Sequence, residues 1–310
     1  MLYIKSKDLI SYYENIKFAF KNATAVRKHL DVVFVFGGAG DINHRDKFLN
    51  FSKANNKTPF LFITIEELYK DLVKYSQLKK GVSAKKIDLA NLEIDAIENA
   101  YSILIFPESP GSFAELGFFS AEEKTRDKML VMNHLDFHTD DSYINELIKL
   151  IHEEKQIQPF YFGDTGENKT FSQYQDKLML RYKDFDEYLE DSFETINKDS
   201  HMYKLSIIYE TLKFFPFLSY SEAHSLTREI FKQESITIPK YEKYLTSMLS
   251  LLVVSELIER VQIDGSNFFK IVNDNTNLLE FKKFTEKEQK EILDLHMTVI
   301  KEKGIDIWIL

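Results

Sequence analysis

The stretch Tyr101-Ser-Ile-Leu-Ile-Phe-Pro-Glu-Ser-Pro-Gly-Ser-Phe-Ala-Glu-Leu-Gly117 combines an apolar run, a turn and the start of a helical pattern. Its first six residues are apolar on both faces apart from Ser102, which is typical of a strand buried inside a parallel sheet. Two prolines and a glycine end the run, and the spacing after them predicts a helix over 112–125. A strand that leads directly into a helix indicates an open α/β sheet.

The same alternation extends along the chain on both sides of this stretch. Strands are predicted at 31–36, 60–65 and 128–132, and helices at 66–75, 89–99 and 142–155. Alternating strands and helices indicate a Rossmann-like parallel sheet with right-handed crossovers. We therefore predict a first domain, of the α/β class, over residues 1–165.

The sequence changes character after the polar, turn-rich stretch 163–172, which we interpret as a linker. Helices are then predicted at 203–214, 221–232 and 239–255, followed by two strands around the hairpin signal Asp264-Gly265. Three helices before a β-hairpin are the order of elements in a winged helix-turn-helix. Residues 166–310 are therefore predicted to be a mainly helical linker and winged-helix domain.

Composition excludes several classes of protein. The chain has 310 residues, of which 44% are apolar and 29% charged, so it has enough apolar material for packed cores. A formal net charge of −9 argues against a general binder of nucleic acid or anionic membranes. Cysteine is absent, which excludes disulfides, thiolate zinc sites and a cysteine nucleophile. No segment approaches the ~20 apolar residues of a membrane span, and the first residues lack the apolar run of a signal peptide, so a cytoplasmic protein with no membrane partner is expected.

The loop after the strand at 101–106 carries the densest signal for a functional site. Gly111 and Ser112 would offer backbone N–H groups at a helix N-terminus, and Glu115 in the predicted first turn would point toward the same crevice. Glu108 is a second carboxylate in this loop. Ser112 and Glu115 also fit a capping box, in which both side chains only satisfy helix-end donors, and this interpretation stays open.

A second polar loop, Gly37-Gly38-Ala39-Gly40-Asp41-Ile42-Asn43-His44, follows the strand at 31–36. In a parallel sheet this loop would face the same edge as the first one. Gly37 and Gly38 would let the backbone approach a ligand closely, and Asn43 and His44 are polar groups within its reach. Two such loops after two strands favour a ligand crevice, with Gly37, Gly38, Asn43, Glu108, Gly111 and Ser112 as candidate substrate-binding residues.

With a strand before it, the motif Phe106-Pro-Glu-Ser-Pro-Gly-Ser-x-x-Glu-Leu-Gly117 resembles the nucleoside deoxyribosyltransferase-like superfamily. More closely, it resembles the effector proteins encoded beside bacterial retron reverse transcriptases, in which a deoxyribosyltransferase-like domain precedes a winged-helix domain. The resemblance implies cleavage of an N-glycosidic bond, with Glu115 as the catalytic carboxylate and Glu66, Glu93 and His44 as possible supporting groups.

Related effectors are implied to be NAD+ glycohydrolases, so the resemblance points to a toxic effector of an antiphage, retron-type system. It also implies a reverse transcriptase and its RNA-linked DNA product as partners, and an oligomer is expected. One position departs from the pattern, because nucleoside deoxyribosyltransferases commonly have an aspartate where this chain has Tyr101 or Ser102. That departure argues against authentic deoxyribosyl transfer.

The chemistry of the reaction favours NAD+ among the substrates. Cleavage of a ribosyl–base bond passes through an oxocarbenium-like state, which a carboxylate on the sugar face stabilises. A neutral purine also requires an acid to protonate the leaving base, whereas nicotinamide leaves NAD+ as a neutral base. The sequence offers one carboxylate that is clearly placed at the predicted crevice, Glu115, and no evident paired acid. It therefore favours NAD+. The alternatives are a nucleoside or deoxynucleotide glycosidase or deoxyribosyltransferase, and a non-enzymatic, nucleotide-sensing DNA-binding regulator.

No cofactor and no metal are expected. His134, Asp136 and His138 could suggest metal ligands, but they follow a strand, where this spacing does not align the two rings as a helix would.

The charge of the second domain argues against tight binding to free duplex DNA. From Ser200 onward the chain has 14 Lys and Arg against 16 Asp and Glu, so few phosphates would be neutralised. A local basic face of Lys240, Lys243, Arg260 and Lys270 on the third helix and the hairpin is the feature that would overturn this expectation.

Overall fold

A computed structural model describes residues 4–39, 43–78, 89–137, 142–154, 159–163, 166–180, 192–263, 266–272 and 276–304. These residues form two compact units. The sheet unit contains the described residues of His29–Lys70 and Gly81–Asp191, and the helical unit contains those of Met1–Lys28, Asp71–Lys80 and Ser192–Leu310.

The secondary structure of the described residues is as follows. The strands are β1 (Ala23–Arg27), β2 (Leu30–Phe36), β3 (Leu61–Ile63), β4 (Ala100–Ile105), β5 (Met129–His134), β6 (Phe160–Phe162), β7 (Phe193–Thr195), β8 (Leu218–Ser219), β9 (Ile258–Ile263), β10 (Ser266–Ile271) and β11 (Leu279–Phe281). The helices are α1 (Ser6–Ile16), α2 (Phe18–Lys21), α3 (His44–Asn55), α4 (Ile65–Leu78), α5 (Leu89–Asn99), α6 (Pro110–Ser120), α7 (Glu123–Lys128), α8 (Tyr143–Glu154), α9 (Glu167–Leu180), α10 (His201–Phe214), α11 (Tyr220–Gln233), α12 (Tyr241–Val254) and α13 (Glu286–Lys303).

The sheet unit is built on five parallel strands in the order β3-β2-β4-β5-β6. All six residues of β4 are buried, as are six of the seven in β2. Helices cover a parallel sheet on both faces, which explains why these central strands are apolar throughout rather than alternating. The α/β class predicted for the first domain is confirmed.

Helix α9 completes the core of the sheet unit. Its Phe171 and Tyr174 pack against Phe48 of α3, with ring centroids 5.3 and 5.5 Å apart, and all three rings are fully buried. The prediction of a linker over 163–172 was wrong from Glu167 onward, because α9 begins at that residue. The turn signals around Gly163 and Gly166 end β6 and lead into the helix, so they mark a loop within this unit.

The helix predicted over 112–125 is also divided differently. Helix α6 begins two residues earlier, at Pro110, and ends at Ser120, and α7 follows from Glu123. Proline suits a first helical position because its missing N–H would have no partner there. The earlier start changes the position of Glu115 within the helix.

The helical unit contains two small antiparallel sheets. In one, β1 lies between β11 and β7, and in the other the order is β8-β10-β9. The chain runs through α10, β8, α11 and α12 into β9 and β10, and the two residues of the predicted turn, Asp264 and Gly265, lie outside the described residues. The division of function between 1–165 and 166–310 stays a prediction. Among the described helices, none is both long enough and apolar enough to cross a bilayer.

Candidate functional site

The carboxyl ends of β2 and β4 bring the two polar loops together. These strands are parallel neighbours, and the Phe106 N–H donates to the Phe36 carbonyl, 2.9 Å away, just beyond their last paired residues. Ligands of open α/β sheets bind at this edge because the loops that follow adjacent strands diverge there. We use the term edge site for Gly37, Arg45, Glu66, Glu93, Glu108 and Glu115.

Glu108 holds the glycine loop in place. Its carboxylate accepts hydrogen bonds from the backbone N–H groups of Gly38 at 3.2 Å, His44 at 2.8 Å and Arg45 at 3.1 Å. Asn43, the N-cap residue of α3, makes no side-chain cap bond, so Glu108 supplies an anion to this helix N-terminus from another loop. The predicted role of Glu108 in substrate binding stays a prediction.

Three glycines in the two loops differ in whether a side chain would fit there. A Cβ atom on Gly37 would lie 2.8 Å from the Arg45 Cβ and 2.9 Å from Glu108 Oε1, and one on Gly38 would lie 2.9 Å from the Asn43 amide nitrogen. At Gly111 the nearest atom would be 3.8 Å away. Glycine is therefore required sterically at Gly37, whereas at Gly111 the space is open.

Two serines cap the N-terminus of α6. Ser109 is the N-cap, its hydroxyl accepts from the Ser112 N–H at 3.1 Å, and the Ser112 hydroxyl accepts from the backbone N–H groups of Glu108 at 3.1 Å and Ser109 at 3.0 Å. The capping box thus uses Ser109 and Ser112, and the alternative box of Ser112 with Glu115 was wrong. The predicted role of Ser112 in substrate binding stays a prediction, and its observed role is to cap the helix.

Glu115 lies in the second turn of α6, not in its first turn as expected, because the helix begins at Pro110. Among the described residues no group donates a hydrogen bond to its carboxylate. Burial, together with the charges of Glu93 and Glu66, raises the pKa of Glu115 to about 7, although the charge of Arg45 acts in the opposite direction. Burial and the charge of Glu66 likewise raise the pKa of Glu93. The structure therefore brings three of the predicted site carboxylates within electrostatic reach of one another.

Arg45 is a site residue that could not be identified from the sequence. Its Nη1 donates to Glu66 Oε1 at 2.6 Å and to the Gly37 carbonyl at 3.2 Å, and its Nε donates to Asp46 Oδ1 at 3.0 Å. Only 7% of its side chain is exposed. In the sequence Arg45 is one of several charged residues in the first turn of a polar helix, so its burial against Glu66 has no local signal.

His44 lies farther along the same edge. Its Nδ1 is 2.8 Å from Glu167 Oε2, and its ring lies 4.0 Å from that of Phe162. Glu167 was assigned to a linker by sequence and was therefore missed. Nδ1 of His134 is 3.3 Å from Asp136 Oδ2, while His138 lies outside the described residues. No group of three possible metal ligands occurs in the described part of the chain.

Tyr101 and Ser102, the positions that depart from the deoxyribosyltransferase pattern, lie inside the sheet unit. The Tyr101 ring stacks on Phe60 with centroids 4.2 Å apart, and the Ser102 hydroxyl donates to the Lys128 carbonyl at 2.7 Å. Both residues are buried in β4, before its carboxyl end. They are therefore core residues rather than edge-site residues.

Comparison with known proteins gives two matches. The model of a family described as STM3845 retron effector protein matches residues 41–260, well over half of the chain. A protein of Escherichia coli, described as a candidate ribosyltransferase/DNA-binding protein of retron Ec86, is 41% identical over 59 residues. That alignment covers 19% of this chain and 18% of the relative, so the chain spans less than a fifth of the length of the curated relative that it matches.

Proposed function

Because the chain belongs to the family of STM3845 retron effector proteins, we propose that it is an effector enzyme that cleaves the N-glycosidic bond of NAD+. The observation that carries this proposal is the Glu115 carboxylate at the carboxyl edge of the sheet. Among the described residues nothing hydrogen-bonds to it, and burial raises its pKa to about 7. The word ribosyltransferase in the name of the Escherichia coli relative supports chemistry at a ribosyl carbon.

In this proposal ionised Glu115 faces the ribose of the substrate. The bond between C1′ and the nicotinamide nitrogen breaks, the electron pair leaves with the nitrogen, and neutral nicotinamide is released. The carboxylate stabilises the positive charge that develops on the sugar, either as a counter-charge or as a nucleophile. Water then adds to C1′ and releases a proton. A site that is partly withdrawn from solvent strengthens this charge interaction.

A nucleoside or deoxynucleotide glycosidase is the second candidate, and Glu93 supports it. Burial and the charge of Glu66 raise the pKa of Glu93, so the edge site offers a second carboxyl group whose protonated form is favoured. A protonated carboxyl group is what a neutral purine needs in order to leave. No such paired acid is evident in the sequence, because the electrostatic interaction of Glu93 with Glu115 depends on the fold. Deoxyribosyl transfer has no comparable support.

The test is to incubate the protein with NAD+, ribonucleosides, deoxyribonucleosides and dNTPs and to measure the free base by chromatography. We expect nicotinamide from NAD+, with kcat/KM rising as the pH increases through about 7, because only ionised Glu115 stabilises the cation. A free purine whose rate instead falls with increasing pH would favour the second candidate. Release of no base from any substrate would favour the non-enzymatic regulator.

For the second region we propose a winged-helix module that recognises the retron partners, the reverse transcriptase and its RNA-linked DNA. Three helices, a hairpin and the sheet order β8-β10-β9 support it. We propose that these partners restrain the enzyme, because free NAD+ hydrolysis would kill the host. Oligomer formation stays a prediction.

The basic face that would oppose this view is partly neutralised. Arg260 donates to both Asp71 carboxylate oxygens, at 2.9 and 2.7 Å, and Lys270 lies 3.5 Å from Glu259. Lys240 and Lys243 are exposed. Each phosphate that a protein neutralises contributes about one unit to the slope of log K against log salt. Two lysines are therefore few for a protein that binds duplex DNA tightly.

Binding of the full chain to random duplex DNA is therefore expected to be weak, with a salt slope of about 2 or less. Titration of labelled duplex at several salt concentrations measures it. Replacing Lys240 and Lys243 together with alanine should remove most of the slope, and Arg260→Ala should leave it unchanged because Asp71 already engages that side chain. A steep slope for the wild-type protein would contradict this expectation and support the DNA-binding regulator.

A further inference from the structure

Arg45 joins three segments of the edge site. Its guanidinium contacts the carbonyl of Gly37 after β2, the carboxylate of Asp46 in α3 and the carboxylate of Glu66 in the first turn of α4. Its own backbone N–H donates to Glu108. A buried guanidinium that is fixed from several directions holds its partners in a defined geometry. Arg45 therefore orients the Glu66 carboxylate.

Glu66 is held at one oxygen and open at the other. Its Oε1 accepts the 2.6 Å hydrogen bond from Arg45, and 47% of its side chain is exposed against 7% of that of Arg45. Among the described residues, no donor is recorded for Oε2. An ionised carboxylate only accepts hydrogen bonds, so the groups that suit this oxygen are the hydroxyls or N–H groups of a ligand.

The charges around Glu66 indicate which kind of ligand group could bind there, a phosphate or a sugar. Glu66, Glu93 and Glu115 act electrostatically on one another, which disfavours an anionic phosphate among them. Arg45 is the cation of this group, and its Nε and Nη1 donors are already used by protein oxygens. A neutral group that carries hydroxyls fits such a position. Acidic side chains recognise ribose through its hydroxyl groups in nucleotide-binding α/β sheets generally.

Resting on the proposed glycosidase function, we propose that Arg45 is a positioning residue that holds Glu66 as the acceptor for the ribose 2′-hydroxyl, so that the edge site selects ribosyl over 2′-deoxyribosyl substrates. The hydrogen bond is charge-assisted and contributes about 10- to 100-fold in affinity or in kcat/KM. A 2′-deoxyribosyl substrate lacks this partner and leaves the carboxylate oxygen without its donor.

The test combines a change in the protein with a change in the ligand. Nicotinamide release is measured from NAD+ and from its analogue that lacks the 2′-hydroxyl of the nicotinamide ribose, with wild-type, Glu66→Gln, Arg45→Lys and Arg45→Met proteins. We expect the wild-type protein to prefer NAD+ by about tenfold or more, and Glu66→Gln to reduce this preference to about threefold or less. Glu66→Gln should lower the rate on NAD+ more than the rate on the deoxy analogue, because only NAD+ makes the bond to the 2′-hydroxyl.

Arg45→Met should lose the preference as Glu66→Gln does, and Arg45→Lys should restore part of it, because lysine keeps the charge but not the fork of donors. A loss of folding alone would lower the rates on both substrates equally. The matched control is Glu67→Gln, because the Glu67 carboxylate accepts from the Thr64 N–H at 2.7 Å and caps its own helix. This control should keep the wild-type preference.

Binding separates this inference from the proposed function. Calorimetry of Glu115→Gln protein with NAD+ and with the deoxy analogue measures the preference without turnover, and the same measurement on the Glu66→Gln, Glu115→Gln double variant removes the acceptor. Absence of nicotinamide release together with a ribosyl preference that depends on Glu66 would reject the proposed function and keep the inference. Equal binding of the two ligands, or binding of neither, would overturn the inference whatever the activity.

Discussion

Replacing Glu115 with glutamine is expected to abolish glycosidic cleavage and, at the same time, to stabilise the protein. Loss of a group that stabilises transition-state charge lowers kcat by about 10²- to 10³-fold. Glutamine has nearly the same shape, and no recorded hydrogen bond among the described residues depends on the carboxylate, so the fold should persist. Nicotinamide release measured beside the wild-type protein gives the rate.

The gain in stability follows from the raised pKa of Glu115. The folded protein retains this proton up to about pH 7, whereas the unfolded chain releases it at the ordinary pKa of a carboxyl group. Burying the charge therefore costs stability increasingly as the pH rises toward 7, and the cost is complete above that value. At about pH 8 Glu115→Gln should gain about 1 kcal/mol after allowance for solvent screening, and at about pH 4 almost nothing.

Urea denaturation of both proteins at these two pH values measures the difference. Glu122→Gln is the matched control, because Glu122 is exposed and its side chain makes no cap bond at the start of α7. It should change neither turnover nor the pH dependence of stability. Turnover of Glu115→Gln near the wild-type rate would contradict the catalytic assignment, and an equal gain at both pH values would contradict the assigned cause.

Replacing Glu222 with alanine is expected to give the largest loss of stability, about 3–5 kcal/mol. The Glu222 carboxylate lies 2.7 Å from Lys303 Nζ and accepts from the N–H groups of Ile4 and Ser219, both also at 2.7 Å. Lys303 and Glu222 are 0% and 3% exposed. Removing the carboxylate leaves a buried ammonium without the counter-charge that compensates its desolvation.

Denaturant unfolding followed by circular dichroism checks this expectation. Lys303→Met should cost clearly less than Glu222→Ala, because methionine fills similar space and Glu222 keeps its two backbone donors. Glu229→Ala on the same helix is the control, because its contact with Lys232, at 3.9 Å, is a surface pair that contributes at most about 1 kcal/mol. A loss for Glu222→Ala no larger than that of the control would contradict a stabilising role for the buried pair.

Several strongly patterned elements could be predicted from the sequence, and three short strands of the helical unit could not. Helix α5 was predicted with the same bounds that the structure shows, and β2 and β4 within one residue. Strands β1, β7 and β11 have three to five residues each. Such strands depend on partners distant in the chain, as Val26 pairs with Glu194 and with Leu279, and so they leave no local periodicity.

The sequence of α9 contains a helical pattern of apolar residues, but the turn signals before it led to the prediction of a linker. Phe171, Tyr174 and Leu178 recur at helical spacing and are fully buried in the core of the sheet unit. The turn signals at Gly163 and Gly166 favoured a linker instead. A glycine indicates that a helix or strand ends, but it does not indicate whether the chain then leaves the domain. That depends on which surface the apolar face of the next element packs against.

The sequence by itself determined the alternation of strands and helices and the position of the two loops after β2 and β4, because these depend on local propensity and on the geometry of parallel strands. Only the tertiary structure decided that Arg45 contacts Glu66, that Glu108 holds the glycine loop and that Glu115 lies outside the helix cap. The raised pKa of Glu115 is likewise a consequence of the tertiary structure. Burial and charge interactions act through space between residues that are distant in the chain, and the local pattern around each residue contains no information about them.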